Sequence, residues 1–230
     1  MRFKGAVVAG LLMASSVAAA QDASRVVADG GIKVAGWQGK IDANEAKQGA
    51  KLEGAKLEKI GNDLRVTTGP AVAYWNPSNV ATGNYTVKAT FTEEKYMGLN
   101  NHPHPYGLFI GGSDMGTDKQ AYLYCMAYGD GRFIVRGFSG DTTFRVNAPR
   151  GEANAAINKA SGVGASVTQE IAMSVKGDKI ECAINGQTVG TYDKSAALGE
   201  KKLKSTDGVY GIRFGHNTDA VVKGLTLTKQ

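Results

Sequence analysis

The run from His102 to Phe138, HPHPYGLFIGGSDMGTDKQAYLYCMAYGDGRFIVRGF, constrains the fold more than any other part of the chain. Three segments rich in aromatic and β-branched residues are separated there by the turn-forming sequences GGSD and GDG. Strands joined in this way by tight turns build an antiparallel sheet from consecutive hairpins. The pattern continues on both sides. In NYTVKATFT, Tyr85, Val87, Ala89 and Phe91 alternate with Thr and Lys, the period of two expected of a half-buried strand. Ile171, Met173 and Val175 alternate in QEIAMSVKG, and KIECAINGQTVGTY reads as a hairpin turning at Asn185-Gly186. About a dozen short strands and no long helix predict an all-β fold, two antiparallel sheets packed as a β-sandwich or jelly roll.

Two segments interrupt the strand pattern. Residues 42–59 are rich in Ala, Lys and Glu and read as a short helix or as a decorated loop, because Gly49 and Gly54 break them. Residues 147–167 are rich in Gly, Ala and Asn and read as a long loop with a helical turn near Glu152 to Ala160. The first and last strands of a sandwich are expected to pair, closing an exposed edge, so GLTLTK at the C-terminus reads as structural. No internal repeat or linker divides the chain. Residues 21–62 form a lead-in with the first strands, and residues 63–230 the body of one sandwich domain.

The N-terminus reads as an export signal. Arg2 and Lys4 precede an apolar stretch from Gly5 to Val17, and Ala18 and Ala20 supply the small residues before a cut near Ala20. The stretch is shorter than the roughly 20 apolar residues of a membrane span. Residues 1–20 are therefore expected to be a cleaved signal peptide, the protein periplasmic or secreted, and the mature chain without a membrane anchor. Loss of Arg2 and Lys4 leaves 25 of the 27 basic residues against 21 acidic ones. The excess is mild and scattered, which argues against nucleic acid as a partner.

Cys125 and Cys182 are the two cysteines. In an oxidising compartment they can form one disulfide, or pack as two buried thiols; spacing alone leaves both readings open.

Parity along QAYLYCMAY separates Leu123, Cys125 and Ala127, which read as core, from Tyr122, Tyr124, Met126 and Tyr128. The second set is an aromatic row that could stack on sugar rings, or simply cover the sheet beneath a loop. In RFIVRGF, Arg136 shares a side with Ile134 and Phe138 and would give the row a polar handle. His102 and His104 lie two apart in NHPHP, where Pro103 and Pro105 favour extended backbone, so both imidazoles face one side. With His216 or Asp219 from GHNTD they could ligate zinc or copper, or anchor loops. His104, His216 and Asp219 are also the candidates for acid/base work. No cofactor is expected; a structural calcium or zinc is the alternative. Asp114, Asp118, Asp130 and Asp141 sit beside turn glycines without the clustered spacing of a calcium loop.

The ordered segments HPHPYGLFIGG, YLYCMAYGDGRFIVRGFSGDT, AINGQTVG and GVYGIRFGHNTDAVVKGLTL resemble secreted bacterial proteins of the concanavalin A-like lectin/glucanase superfamily. Within it they resemble LamG-like sandwiches related to the 3-keto-disaccharide hydrolase (DUF1080) domain, over roughly residues 60–228. The resemblance implies a jelly roll whose concave sheet binds carbohydrate. The E-x-D-x-x-E strand of laminarinase-type relatives does not occur. Glu93 and Glu94 are adjacent and point to opposite sides of a strand, whereas retaining hydrolysis needs carboxyl groups about 5–5.5 Å apart across the bond.

Three functions follow in order of preference. The first is an exported, non-catalytic carbohydrate- or ligand-binding sandwich with Tyr122, Tyr124, Tyr128, Arg136, His102 and His104 at its site, and a saccharide or envelope glycan as partner. The second is a disaccharide-acting hydrolase or lyase, which requires His104, His216, Asp219 and Arg136 to converge. The third is a structural or interaction protein of the cell envelope.

Overall fold

The computed structural model describes residues 25–98 and 102–230. The signal-peptide reading of residues 1–20 lies outside them. The chain begins with strands β1 (Gly31–Ile32) and β2 (Gln38–Ile41), helix α1 (Ala43–Lys47), β3 (Ala55–Ile60) and β4 (Asp63–Thr68). The middle holds β5 (Val72–Ala81), β6 (Tyr85–Glu93), β7 (Tyr106–Ser113), β8 (Ala121–Ala127) and β9 (Arg132–Ser139). There follow β10 (Thr142–Arg145), β11 (Glu152–Ala153), β12 (Val167–Lys176), β13 (Lys179–Ile184) and β14 (Gln187–Asp193). A single helical turn, α2 (Lys194–Ala197), precedes β15 (Gly208–Phe214) and β16 (Asp219–Lys229).

These strands form two sheets. The first runs β1-β3-β4-β16-β6-β12-β13-β14, and the second β10-β9-β8-β7-β15-β5-β2, with β11 on β9. Pairing is antiparallel except between β1 and β3. The Asn185-Gly186 turn joins β13 to β14 with both residues at positive φ, as a two-residue hairpin turn requires. Two expectations are corrected. The last strand does not pair with the first: β16 lies inside its sheet between β4 and β6, where its alternating residues cover the core. Residues 152–160 form no helical turn; Glu152 and Ala153 extend along β9 instead.

The main core fills the space between the sheets. From the first sheet come Val87, Ala89, Phe91, Ile171 and Met173; from the second come Leu108, Leu123, Cys125, Val135 and Ile212. Cys125 of β8 and Cys182 of β13 are joined in a disulfide, Cα atoms 6.3 Å apart, which ties one sheet to the other. Gly137 keeps a gap in β9 that Phe144 fills, since a Cβ there would come within 2.1 Å of the Phe144 ring.

The second sheet has a second apolar face, turned away from that core. Ala73, Trp75, Phe109, Tyr122, Tyr124, Met126 and Ile134 form it, with Tyr128, Phe138, Met115 and Val209 packed at its margins. Arg213 of β15 lies in this face at 4% exposure. Burial opposes its charge, but Asp42 at the start of α1 outweighs that and keeps its pKa above the ordinary arginine value. The Arg213 Nη2 donates to the Asp42 carboxylate at 2.5 Å, fastening α1 against the sheet. At one end of the core, Glu93 is also buried, and burial pushes its carboxyl up to about 7 from an ordinary 4.5.

Three stability measurements check this account. The disulfide closes a loop with a sequence separation of 57, so reduction, or Cys125→Ala with Cys182→Ala, should cost about 2–4 kcal/mol in urea unfolding. Asp42→Ala should cost about 3 kcal/mol by the same assay, because a buried guanidinium loses its countercharge. Between about pH 4.5 and 7 native Glu93 holds a proton that the unfolded chain releases, so its contribution to stability falls as pH rises through that window. Glu93→Gln should therefore be more stable than the parent at pH 8, by on the order of 2 kcal/mol, and should lose that advantage near pH 4.

Candidate functional site

The outer face of the second sheet is a set of cross-strand rows. Tyr124 stands opposite Phe109 on one side and Arg136 on the other. One pleat further on, Met126 stands between Gly107 and Ile134, and Gly107 opposite Arg213. Without side chains, Gly107 and Gly211 leave the floor low between larger neighbours; a Cβ on Gly211 would meet the Phe109 ring at 2.7 Å. Arg213 lies over the rings of Tyr124 and Phe138, at 5.6 and 5.3 Å, so the guanidinium is set in an aromatic surround.

Part of this face is covered. The loop after β7 lays Met115 and Gly116 against Phe109 and Trp75. The rest is a cleft of about 380 Å³ lined by Tyr124, Met126, Tyr128, Ile134, Arg136, Phe138 and Arg213, with Asp42 and Glu45 on one wall and the three histidines at one end. An adjoining hollow of about 570 Å³ shares Asp42 and Phe138 and runs past α1 to Thr117, Asp118 and Gln120.

Polar groups converge on this cleft with capacity to spare. Arg213 Nε and Nη1 and Arg136 Nε are buried and have no hydrogen-bond partner among the described residues. Arg136 Nη2 donates to the Pro149 carbonyl, which fixes the side chain under the loop after β10. Glu45 accepts from the Ala71 amide at 3.0 Å; burial raises its pKa despite that bond, and the Asp42 charge adds to the rise. Arg132 stands over the Tyr128 ring at 5.0 Å and is held by Asp130.

The histidine end follows from the sheet register. β7 and β15 are antiparallel neighbours with Tyr106 opposite Phe214, and the pairing runs on as the Gly215 amide donates to the Pro105 carbonyl at 2.8 Å. His104 and His216 therefore flank this pair on the adjacent segments that extend β7 and β15. Ring centroids are 4.1 Å apart for His104 and His216, 4.3 Å for His102 and His104, and 5.8 Å for His102 and His216. His104 is buried, His216 half-buried and His102 exposed. Burial, with the two neighbouring imidazoles, lowers the His104 pKa to about 3, so it is a neutral imidazole at any physiological pH.

The structure thus brings His102, His104, His216, Tyr124, Tyr128 and Arg136 to one cleft. Two candidates lie elsewhere. Tyr122 is 1% exposed, because the rings of Phe109 (4.9 Å) and Phe138 (5.4 Å) close over it; it supports the floor and offers no ligand surface. Asp219 opens β16 in the other sheet, where Arg65 grips it through two bonds of 3.0 and 3.1 Å and Arg25 lies at 3.8 Å. It stands apart from the histidine cluster and is engaged as an ion-pair partner. The turn aspartates are likewise dispersed: Asp118 pairs with Lys40, Asp130 with Arg132 and Asp141 with Lys47.

Arg213, Asp42 and Glu45 are absent from the sequence-based candidates. Arg213 had a readable signal, a lone arginine inside the apolar strand GVYGIRF. Asp42 and Glu45 had none, since only the fold of α1 across the sheet puts them there.

No protein-family model matches the chain, and no curated protein matches it in sequence. Solved structures match it in fold. The carbohydrate-binding module CBM66 from Bacillus subtilis is 8% identical, with a TM-score of 0.57 over 87% of this chain and 99% of that one. The endo-β-1,3-glucanase from Pyrococcus furiosus is 11% identical, with a TM-score of 0.53 over 84% and 88%. A Bacillus subtilis protein of unknown function with a galectin-like fold is 10% identical, with a TM-score of 0.51 over 84% and 89%. At these identities the likeness is one of architecture: the chain has the two-sheet jelly-roll sandwich fold of these structures.

Proposed function

We propose that the protein is an exported saccharide-binding sandwich whose ligand lies in the cleft on the outer face of the second sheet. One observation carries the reading: an aromatic floor of Tyr124, Tyr128 and Phe138 surrounds buried Arg213 and Arg136 nitrogens without partners among the described residues. Aromatic faces pack against the apolar faces of sugar rings, and guanidinium donors bond hydroxyl or carboxylate oxygens. A concave site in which polar groups converge beside aromatic side chains is the usual setting for a ligand. The carbohydrate-binding module of the same fold supports the reading by analogy of architecture. The disulfide suits an oxidising compartment, which supports a periplasmic or secreted location.

A second reading, action on a disaccharide as a hydrolase or lyase of the 3-keto-disaccharide type, is favoured by His104, His216 and Arg136 lining the same cleft. It now lacks Asp219, and its acid/base groups would have to come from the histidines, Asp42 or Glu45. Turnover of a 3-keto-disaccharide that disappears in His216→Ala would establish it over simple binding.

Binding is tested by a glycan array of neutral and uronate-containing oligosaccharides, followed by isothermal titration. Tyr124→Ala and Arg136→Met should each weaken the best ligand by about tenfold or more, equivalent to about 1.4 kcal/mol. No binding to any saccharide, or affinity unchanged in both variants, would rule the cleft out.

A further inference from the structure

We infer that His102, His104 and His216 form a site for one divalent transition-metal ion, of the zinc, nickel or copper kind, at the end of the cleft. Each imidazole offers a nitrogen, and the three ligand atoms all lie within 4.8 Å of one another. With metal–nitrogen bonds of about 2.0–2.1 Å, tetrahedral ligands stand about 3.3 Å apart, so closure needs side-chain shifts of only ~1 Å. The ring planes are inclined at 60–63° to one another, so the three imidazoles are not stacked.

The backbone holds this geometry before any ion arrives. Pro103 and Pro105 keep the first segment extended, which puts His102 and His104 on one side. The turn carrying His216 is fastened from several directions. Gly215 donates to Pro105; its carbonyl accepts from the Thr68 hydroxyl at 2.8 Å; and the Asn217 amide donates to Gly69 at 3.0 Å. A Cβ on Gly215 would come within 2.8 Å of Pro105, so a glycine is what lets the two histidine segments meet. Three nitrogen ligands of one soft-to-intermediate type, without a carboxylate among them, suit transition ions and not calcium or magnesium.

The order of burial matters for what such an ion could do. His104 anchors the site from within and His102 lies on the solvent side. Three protein ligands leave a fourth position, the arrangement of zinc sites that bind water or substrate. The cleft with Tyr124, Tyr128 and Arg136 adjoins it, so a ligand oxygen could reach the ion while its ring lies on the aromatic floor. The metal site itself does not depend on the saccharide reading.

The test uses the untagged protein stripped with chelator and then titrated with zinc, nickel, copper, calcium or magnesium chloride, without any saccharide. Failure of the saccharide reading therefore leaves this result unaffected. One transition ion per chain is expected by elemental analysis, with calcium and magnesium not retained. His104→Ala and His216→Ala should each weaken zinc binding by at least about 100-fold. His102→Ala, which removes an exposed side chain and leaves the fold intact by circular dichroism, should weaken it in the same direction. Cobalt bound to the parent should show the intense visible absorption of a tetrahedral site, absent in His216→Ala. No retained transition ion in the parent, or retention in His102→Ala and His216→Ala equal to that of the parent, would overturn the proposal.

Discussion

Every residue of β8, from Ala121 to Ala127, is buried, and the rest of the molecule is arranged around that fact. A strand covered on both faces needs apolar material on each. The core face has Leu123, Cys125 and Ala127 packed against the other sheet, with the disulfide to Cys182 holding the two layers at fixed separation. The outer face has Tyr122, Tyr124 and Met126 in a second cluster that no sheet covers. It is covered in part by the loop after β7 and by Phe138, and beside that cover the cleft opens.

Burying Arg213 in the second cluster would be costly without compensation, since an uncompensated charge in apolar surroundings loses its hydration. Asp42 supplies the compensation and in doing so draws α1 over the sheet. The same ion pair therefore sets the wall of the cleft and places Glu45 on it. It also leaves buried guanidinium nitrogens without partners among the described residues, on a side chain that lines the cleft. Stability and recognition are thus linked through one side chain. The tolerance of this site to substitution should be lower than its partly open surface suggests.

The fold was legible in the sequence because its signals are local. Alternation along NYTVKATFT, the Asn185-Gly186 turn and the strand runs after His104 all depend on neighbours within a few residues. Parity along QAYLYCMAY likewise separated the core face from the outer face. It could not tell that Tyr122 is sealed by Phe138 and Phe109 while Tyr124 and Tyr128 reach the cleft, because that depends on other strands and on a loop. Asp219 shows the same limit. Three residues from His216, it enters the other sheet and meets Arg65, so closeness in sequence became separation in function.

The sequence by itself determined an all-β sandwich, the inward and outward sides of its strands, and the shared side of His102 and His104, since those follow from backbone period and proline geometry. Only the tertiary structure decided that β7 lies beside β15, which brings His216 to His104, and that β8 and β13 face each other, which joins Cys125 to Cys182. It also decided that Asp42 meets Arg213 across a sequence distance of 171 residues. The physical reason is the same in each case. Strand order and layer packing are settled by burying apolar faces against partners remote in the chain, and no local pattern encodes which partner that is.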